Sequence, residues 1–133
     1  VGDDLVTGKI DRIERNSDGT YSLYDYKTGR PTSEKQISPD GEKKNYYNQL
    51  CFYKYAYEKL TGNKVSQVGI IYVEDHARSV YKTLTDSDME YIENLIKDTY
   101  SNIKSLKFNP IKEDKQGVCK NCVYKHLCKL DLI

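Results

Sequence analysis

The apolar and polar positions of this 133-residue chain change period several times, and each change predicts an element. Residues 4 to 15 and 20 to 28 carry strand-like composition on either side of Asn16-Ser17-Asp18-Gly19, a strong turn signal, and predict a β-hairpin. From Asn45 to Leu60 the positions Tyr46, Leu50, Tyr53, Tyr57 and Leu60 recur at helical spacing, with Thr61-Gly62-Asn63 as the stop. Val65 to Glu74 is dominated by β-branched residues and reads as a buried strand. Arg78 to Leu84 alternates as a half-exposed strand should, and Asp75-His76-Ala77 turns between the two. A second helix starts at Thr85 with the capping box Thr85-x-x-Asp88. Its stripe is Met89, Ile92, Ile96, Tyr100 and Ile103, and it ends near Lys107. Residues 29 to 44, polar and punctuated by Pro and Gly, predict a long mobile surface loop. After Asn109-Pro110 the chain reads as irregular until Cys119. The order β-β-α-β-β-α predicts a mixed sheet with helices packed on it, an α/β or α+β domain.

Composition narrows the class without naming a partner. The length suits one domain with one core. The longest apolar run, Val68 to Val73, is interrupted by Gly69 and falls far short of the roughly 20 residues that span a bilayer. No signal peptide or membrane anchor is visible, so the expected location is the cytoplasm. Lys plus Arg (21) nearly balances Asp plus Glu (20), which removes the global basic signature of many nucleic-acid binders. Tyrosine is abundant, 13 residues against no tryptophan, as filler for a half-buried sheet and a helix face. Cys119, Cys122 and Cys128 crowd the end of the chain, a pattern that favours metal or cluster ligation over disulfides.

The candidate chemistry lies on the hairpin. If a three-residue loop ends at Gly19 in the left-handed conformation, paired residue numbers sum to 36, and Asp11 falls opposite Asp25. Side chains alternate along a strand, so Asp25 and Lys27 share a face. Opposed carboxylates roughly 4.5 to 5.5 Å apart at Cβ repel unless a cation sits between them. Two carboxylates and a lysine are what metal-dependent phosphodiester hydrolysis uses. Mg²⁺ takes oxygen ligands, with the backbone carbonyl of Tyr26 in reach, and Lys27 can orient a water or stabilise developing charge. Taken alone, Asp-x-Lys on a strand is more often a solvated pair. On the helix, Gln49 sits at the edge of the apolar stripe one turn before Tyr53, and both can look inward; the alternative is a buried Gln bonded to backbone beside a core Tyr.

Taken as a set, these residues resemble the RecB-type nucleases of the PD-(D/E)XK superfamily: Gly8-x-Ile10-Asp11-Arg12-Ile13 is similar to their second motif, Asp25-Tyr26-Lys27-Thr28-Gly29 to their third, and Gln49-x-x-x-Tyr53 to the helix motif that follows. The resemblance spans residues 4 to 128. It implies a restriction-endonuclease-like mixed central sheet flanked by helices, with Asp11 and Asp25 as ligands of Mg²⁺ or Mn²⁺. It also implies a catalytic Lys27, and Gln49 and Tyr53 contacting the nucleic acid or the active-site acids. The family's first motif, a helix bearing His or Glu, has no counterpart here. The chain therefore reads as a single nuclease domain, residues 1–133, from the C-terminal part of a longer protein, with weak metal binding and poor cleavage expected of it alone.

Cys119-x2-Cys122-x5-Cys128 resembles the C-terminal triplet of the iron–sulfur subgroup, found in helicase-linked and CRISPR-associated members, where an upstream cysteine completes a [4Fe–4S] cluster. Zn²⁺ held by Cys119, Cys122, His126 and Cys128 is the alternative. Cys51 lies about 160° around the helix from Gln49 and is expected to pack as a small apolar residue. Arg12, Arg30, Lys35, Lys43 and Lys44 are the candidates for phosphate contact. The function expected is that of a Mg²⁺-dependent DNA exonuclease of repair, recombination or CRISPR adaptation, possessing DNA and a fused or associated helicase or CRISPR-adaptation protein as partners, and no membrane. The rivals are a catalytically inert DNA-binding or scaffold module of the same fold and an endonuclease of the same superfamily.

Overall fold

The turn at Asn16–Gly19 sets the first part of the architecture. In the computed structural model, which describes residues 5–74, 78–107 and 118–125, Gly19 adopts φ +83°, a left-handed conformation that costs glycine little. Asn16 N–H donates to Thr20 O (2.8 Å) and Gly19 N–H to Asn16 O (3.0 Å), closing the loop. The Asp18 carboxylate accepts from Thr20 N (2.9 Å) and Oγ1 (2.7 Å), which holds its pKa below the usual carboxylate value. Strands β1 (Arg12–Arg15) and β2 (Tyr21–Lys27) then pair antiparallel, with Arg12 opposite Tyr24 and Ile13 opposite Leu23. Every pair sums to 36, the predicted register.

β1 is much shorter than the strand expected over residues 4 to 15. The next ladder donor, Tyr26 N–H, is taken by the Asp11 side chain, whose Oδ2 accepts it at 3.0 Å. A side chain that replaces the backbone partner ends the ladder, and residues 5 to 10 form no strand.

Helix α1 (Lys44–Thr61) carries the chain from β2 to β3 (Val65–Tyr72), which pairs parallel with β2, as a crossover connection allows. β4 (Arg78–Lys82) pairs antiparallel with β3, and α2 (Asp86–Lys104) follows. The sheet order is β1-β2-β3-β4, the mixed sheet flanked by helices that the sequence predicts. The chain divides into two compact units, Val1–Ile96 and Lys97–Ile133. Among the described residues, no helix is long and apolar enough to cross a membrane.

The sheet face that meets α1 carries Leu23, Asp25 and Lys27 from β2 and their register partners Val68, Ile70 and Tyr72 from β3. Leu23, Val68, Ile70, Tyr72, Tyr47, Leu50 and Cys51 are all essentially inaccessible and make the core. Burying a side chain of this kind contributes about 1.5–3 kcal/mol. Cys51 packs as an apolar residue, as expected. The apolar stripe of α1 differs from the predicted one. Tyr47, Leu50, Cys51, Tyr53 and Lys54 are buried, Tyr46 and Tyr57 are half-buried, and Leu60 is exposed. The helix meets the sheet on one side and α2 on another, through a Tyr47–Tyr91 ring contact at 5.6 Å and Tyr91 Oη donating to Asn48 Oδ1 (3.0 Å). One narrow stripe cannot describe a helix with two buried sides.

α2 begins as predicted, with Thr85 N–H donating to Asp88 Oδ2 (2.7 Å). Ile92 and Ile96 are buried, but Ile103, expected to extend the stripe, is half-exposed. The segment 29 to 44 is more than a surface excursion. It contains a 3-10 turn, Glu34–Gln36, closes on itself through Lys43 N–H to Gln36 O (2.9 Å), and buries Ile37 and Thr32. Thr32 and Tyr72 share a buried hydroxyl–hydroxyl hydrogen bond of 2.6 Å. The predicted turn at 75–77 and the irregular stretch from Asn109 lie outside the described residues.

Candidate active site

Asp25 is the only buried carboxylate among the described residues, 3% exposed in the middle of β2. α1 crosses the same sheet face, and its i, i+4 spacing brings Gln49 and Tyr53 over this strand together. Asp25 Oδ1 accepts from Gln49 Nε2 (3.0 Å) and from Tyr53 Oη (3.0 Å), and Gln49 Nε2 also donates to Tyr53 Oη (2.8 Å). Lys27 Nζ donates to Gln49 Oε1 (3.0 Å). The amide of Gln49 thus joins the carboxylate to the lysine through both of its ends. Burial first, and then the hydrogen bond to Asp25, push the Tyr53 phenol up to about 12, so it stays a proton donor at neutral pH.

The second oxygen of Asp25 differs. Lys27 Nζ lies 2.7 Å from Oδ2, an ion pair by distance. The direction of approach does not make a hydrogen bond, and Oδ2 is buried without an aligned donor. The Lys27 ammonium supplies opposite charge at Oδ2 but no aligned hydrogen bond, so the desolvation of this oxygen is only partly offset.

Asp11 stands at the end of β1, exposed, with Oδ2 held by Tyr26 N–H (3.0 Å). The hairpin register, continued by one residue, sets it opposite Asp25, and its charge contributes to the raised Tyr53 pKa. In a strand a residue's N–H and C=O point to the same side, so the Tyr26 carbonyl is directed towards the Asp11 side. Beyond Lys27 the chain is fixed by Val73 N–H to Lys27 O (3.1 Å) and Gly29 N–H to Glu74 Oε2 (3.0 Å). A groove of about 310 Å³ between Val6, Gly8 and Ile10 on one side and Phe52, Ala56 and Tyr57 on the other reaches Tyr53.

The structure therefore brings Asp11, Asp25, Lys27, Gln49 and Tyr53 into one neighbourhood. It adds Tyr46, which sequence reasoning treated as core: Lys27 Nζ lies 5.0 Å and Lys43 Nζ 5.4 Å from its ring centroid. The available signal was its position three residues before Gln49, on the same side of the helix. Arg12 is directed elsewhere. It pairs with Glu14 and sits 5.6 Å over the Tyr24 ring, on the sheet face opposite Asp25. Arg30, Lys35 and Lys44 are exposed. Cys119 and Cys122 are partly buried and joined by a turn, with Cys122 N–H donating to Cys119 O at 3.4 Å. Cys128 and His126 lie outside the described residues. Among the described residues no three His, Cys, Asp or Glu side chains group as a metal site.

A strand-borne acid and lysine faced by a helix-borne Gln and Tyr, on a mixed four-stranded sheet, define a restriction-endonuclease-like protein. The family model of the PD-(D/E)XK nuclease superfamily matches residues 2–129, and the chain belongs to that superfamily. No curated protein matches the chain.

Proposed function

We propose that this chain is a metal-dependent deoxyribonuclease of RecB type that degrades DNA as an exonuclease. The observation that carries this reading is Asp25, one oxygen saturated by Gln49 and Tyr53 and the other buried beside Lys27 without an aligned donor. That donor set fits a hard divalent cation: Asp11, Asp25 and the Tyr26 carbonyl would hold Mg²⁺ or Mn²⁺. The ion would neutralise phosphate charge and make a bound water more acidic. Lys27 Nζ offers protons to a phosphate oxygen or orients the attacking water. Gln49 fixes the acid and the lysine relative to each other, and Tyr53 keeps the acid in its rotamer. Arg30, Lys35, Lys43 and Lys44 supply the phosphate contacts along the DNA.

The cysteine segment would hold a [4Fe–4S] cluster, with Cys119 and Cys122 as two of its ligands and Cys128 as a third. Iron and acid-labile sulfide in anaerobically purified protein would support this, and stoichiometric zinc without iron would replace it. DNA repair, recombination or CRISPR adaptation, alongside a helicase, is the setting this type of domain fits.

The direct test is Mg²⁺-dependent degradation of linear DNA by the full-length protein, compared with its Asp25→Ala and Lys27→Ala variants. Loss of at least about a hundredfold in both variants is expected for groups acting on the reacting atoms. Equal activity in all three refutes the assignment. Closed circular DNA should survive under the same conditions, and its cleavage would make the enzyme an endonuclease instead.

A further inference from the structure

We infer that Tyr46 is a positioning residue that seats the ammonium of Lys27, a role that rests on the nuclease reading of the site. Lysine carries its charge on a flexible four-carbon stem and needs external contacts to hold one rotamer. Among the described residues, the contacts around Lys27 Nζ are Asp25 Oδ2 at 2.7 Å, Gln49 Oε1 at 3.0 Å and the Tyr46 ring, with its centroid at 5.0 Å. The contact with Oδ2 is misaligned for hydrogen bonding, and that oxygen is also the one a divalent ion would take. An ion pair with it cannot be what fixes the lysine in the loaded enzyme. Gln49 and Tyr46 remain.

The ring has a property the amide lacks. Its face attracts an ammonium through the quadrupole but offers a hard metal ion no lone pair, so it holds Lys27 without competing for the ion. Tyr46 and Gln49 are three residues apart on α1, so one helical turn supplies both holders. Lys43, at 5.4 Å from the same centroid, brings a second ammonium to the ring. The ring therefore gathers two cationic groups where an anionic phosphate has to approach.

The test uses the full chain labelled with ¹³C at lysine Cε, the Lys27 signal being identified by its loss in Lys27→Arg. The Lys27 ε-methylene protons should show an upfield ring-current shift, kept in Tyr46→Phe, lost in Tyr46→Leu and retained when Mg²⁺ is added. An unshifted Lys27 signal in the wild type, or one unaffected by Tyr46→Leu, overturns the proposal. In DNA degradation, Tyr46→Leu should lower kcat about tenfold with KM within about twofold, the size expected from one well-placed cation–π contact. Tyr46→Phe should recover most of that loss, and Tyr46→Leu should add nothing in a Lys27→Ala background. Full kcat in Tyr46→Leu, or a loss in that background as large as in the wild type, also overturns it. Absence of cleavage by the intact protein would count against the nuclease reading instead, and the Lys27 signal would still decide whether Tyr46 seats the lysine.

Discussion

Replacing Lys27 with methionine should abolish cleavage and at the same time tighten binding of the divalent ion. In the folded chain Lys27 Nζ stands 2.7 Å from Asp25 Oδ2, the oxygen that an ion would share with Asp11. Coulomb's law at an effective dielectric of about 20 puts unit charges at that separation near 6 kcal/mol. The competition felt by an incoming ion is much smaller, because the lysine side chain is 24% exposed and keeps Gln49 Oε1 as a partner when it moves aside. Solvent screening and that second partner bring the difference to about 1.4 kcal/mol, a tenfold change in affinity. Methionine preserves the stem and removes the charge. Mn²⁺ titration followed by electron paramagnetic resonance, at fixed ionic strength, measures the dissociation constant directly, with Asp25→Asn as the variant that loses the site. A folded Lys27→Met protein that binds Mn²⁺ no more tightly than the wild type would show that the lysine and the ion do not meet at Oδ2.

Three other expectations concern the scaffold. Burial pushes the Cys51 thiol up to about 12 from its ordinary 9.0, so a thiol reagent near pH 8 should spare Cys51 in the folded protein and label it once urea has unfolded the chain, as peptide mass spectrometry can read. Because the folded-state value is the higher one, the stability it represents is whole below pH 9.0 and is lost as the pH rises towards 12; urea midpoints over that range should fall less steeply in Cys51→Ala, and identical slopes would contradict the assignment. Lys54→Met should cost about 2–3 kcal/mol in urea unfolding, since Nζ donates to Val65 O (2.6 Å) and Glu58 Oε1 (2.9 Å) and joins the end of α1 to the start of β3; a loss below about 0.5 kcal/mol would mean this buried lysine is dispensable. Gly69→Val should destabilise by about 1–3 kcal/mol, because its Cβ alone would lie 3.0 Å from Val80 O and 3.2 Å from Tyr24 Cδ1, and an unchanged midpoint would refute the crowding.

The parts of the molecule that the sequence makes legible are those set by local rules. The hairpin register follows from one turn and one glycine, and it carries Asp11 to Asp25 without knowledge of the rest of the fold. Thr85-x-x-Asp88 is legible for the same reason. Gln49 and Tyr53 could be placed because a one-turn spacing keeps them together whatever the helix packs against. The full buried surface of α1 was not legible, since the burial of Tyr47 depends on Tyr91, 44 residues later in the numbering, and that of Lys54 on the Val65 carbonyl. Nor does a single apolar residue in a polar run announce that Ile37 is buried. Tyr46 looked like core because a tyrosine at helical spacing usually is, and only the lysines converging on its ring separate it from the others.

The neutrality of the two helix donors to Asp25 explains how the fold can hold a buried anion without those donors cancelling its charge. Desolvating a carboxylate costs several kcal/mol. Two hydrogen bonds to the charged group, each contributing about 1.5–3 kcal/mol, offset most of that. Here both come from neutral donors on α1, Gln49 Nε2 and Tyr53 Oη, and both are directed at Oδ1. An arginine or lysine in either helix position would stabilise the anion more strongly but would cancel its charge, and the carboxylate would have little left to offer an ion. Among the described residues the ammonium paired with Asp25 belongs to Lys27, which meets Oδ2 out of alignment and is held as well by an amide and an aromatic ring. The parallel pairing of β2 with β3 is what makes this possible, because it requires a crossover, and the crossover helix lays uncharged donors across the buried half of the strand.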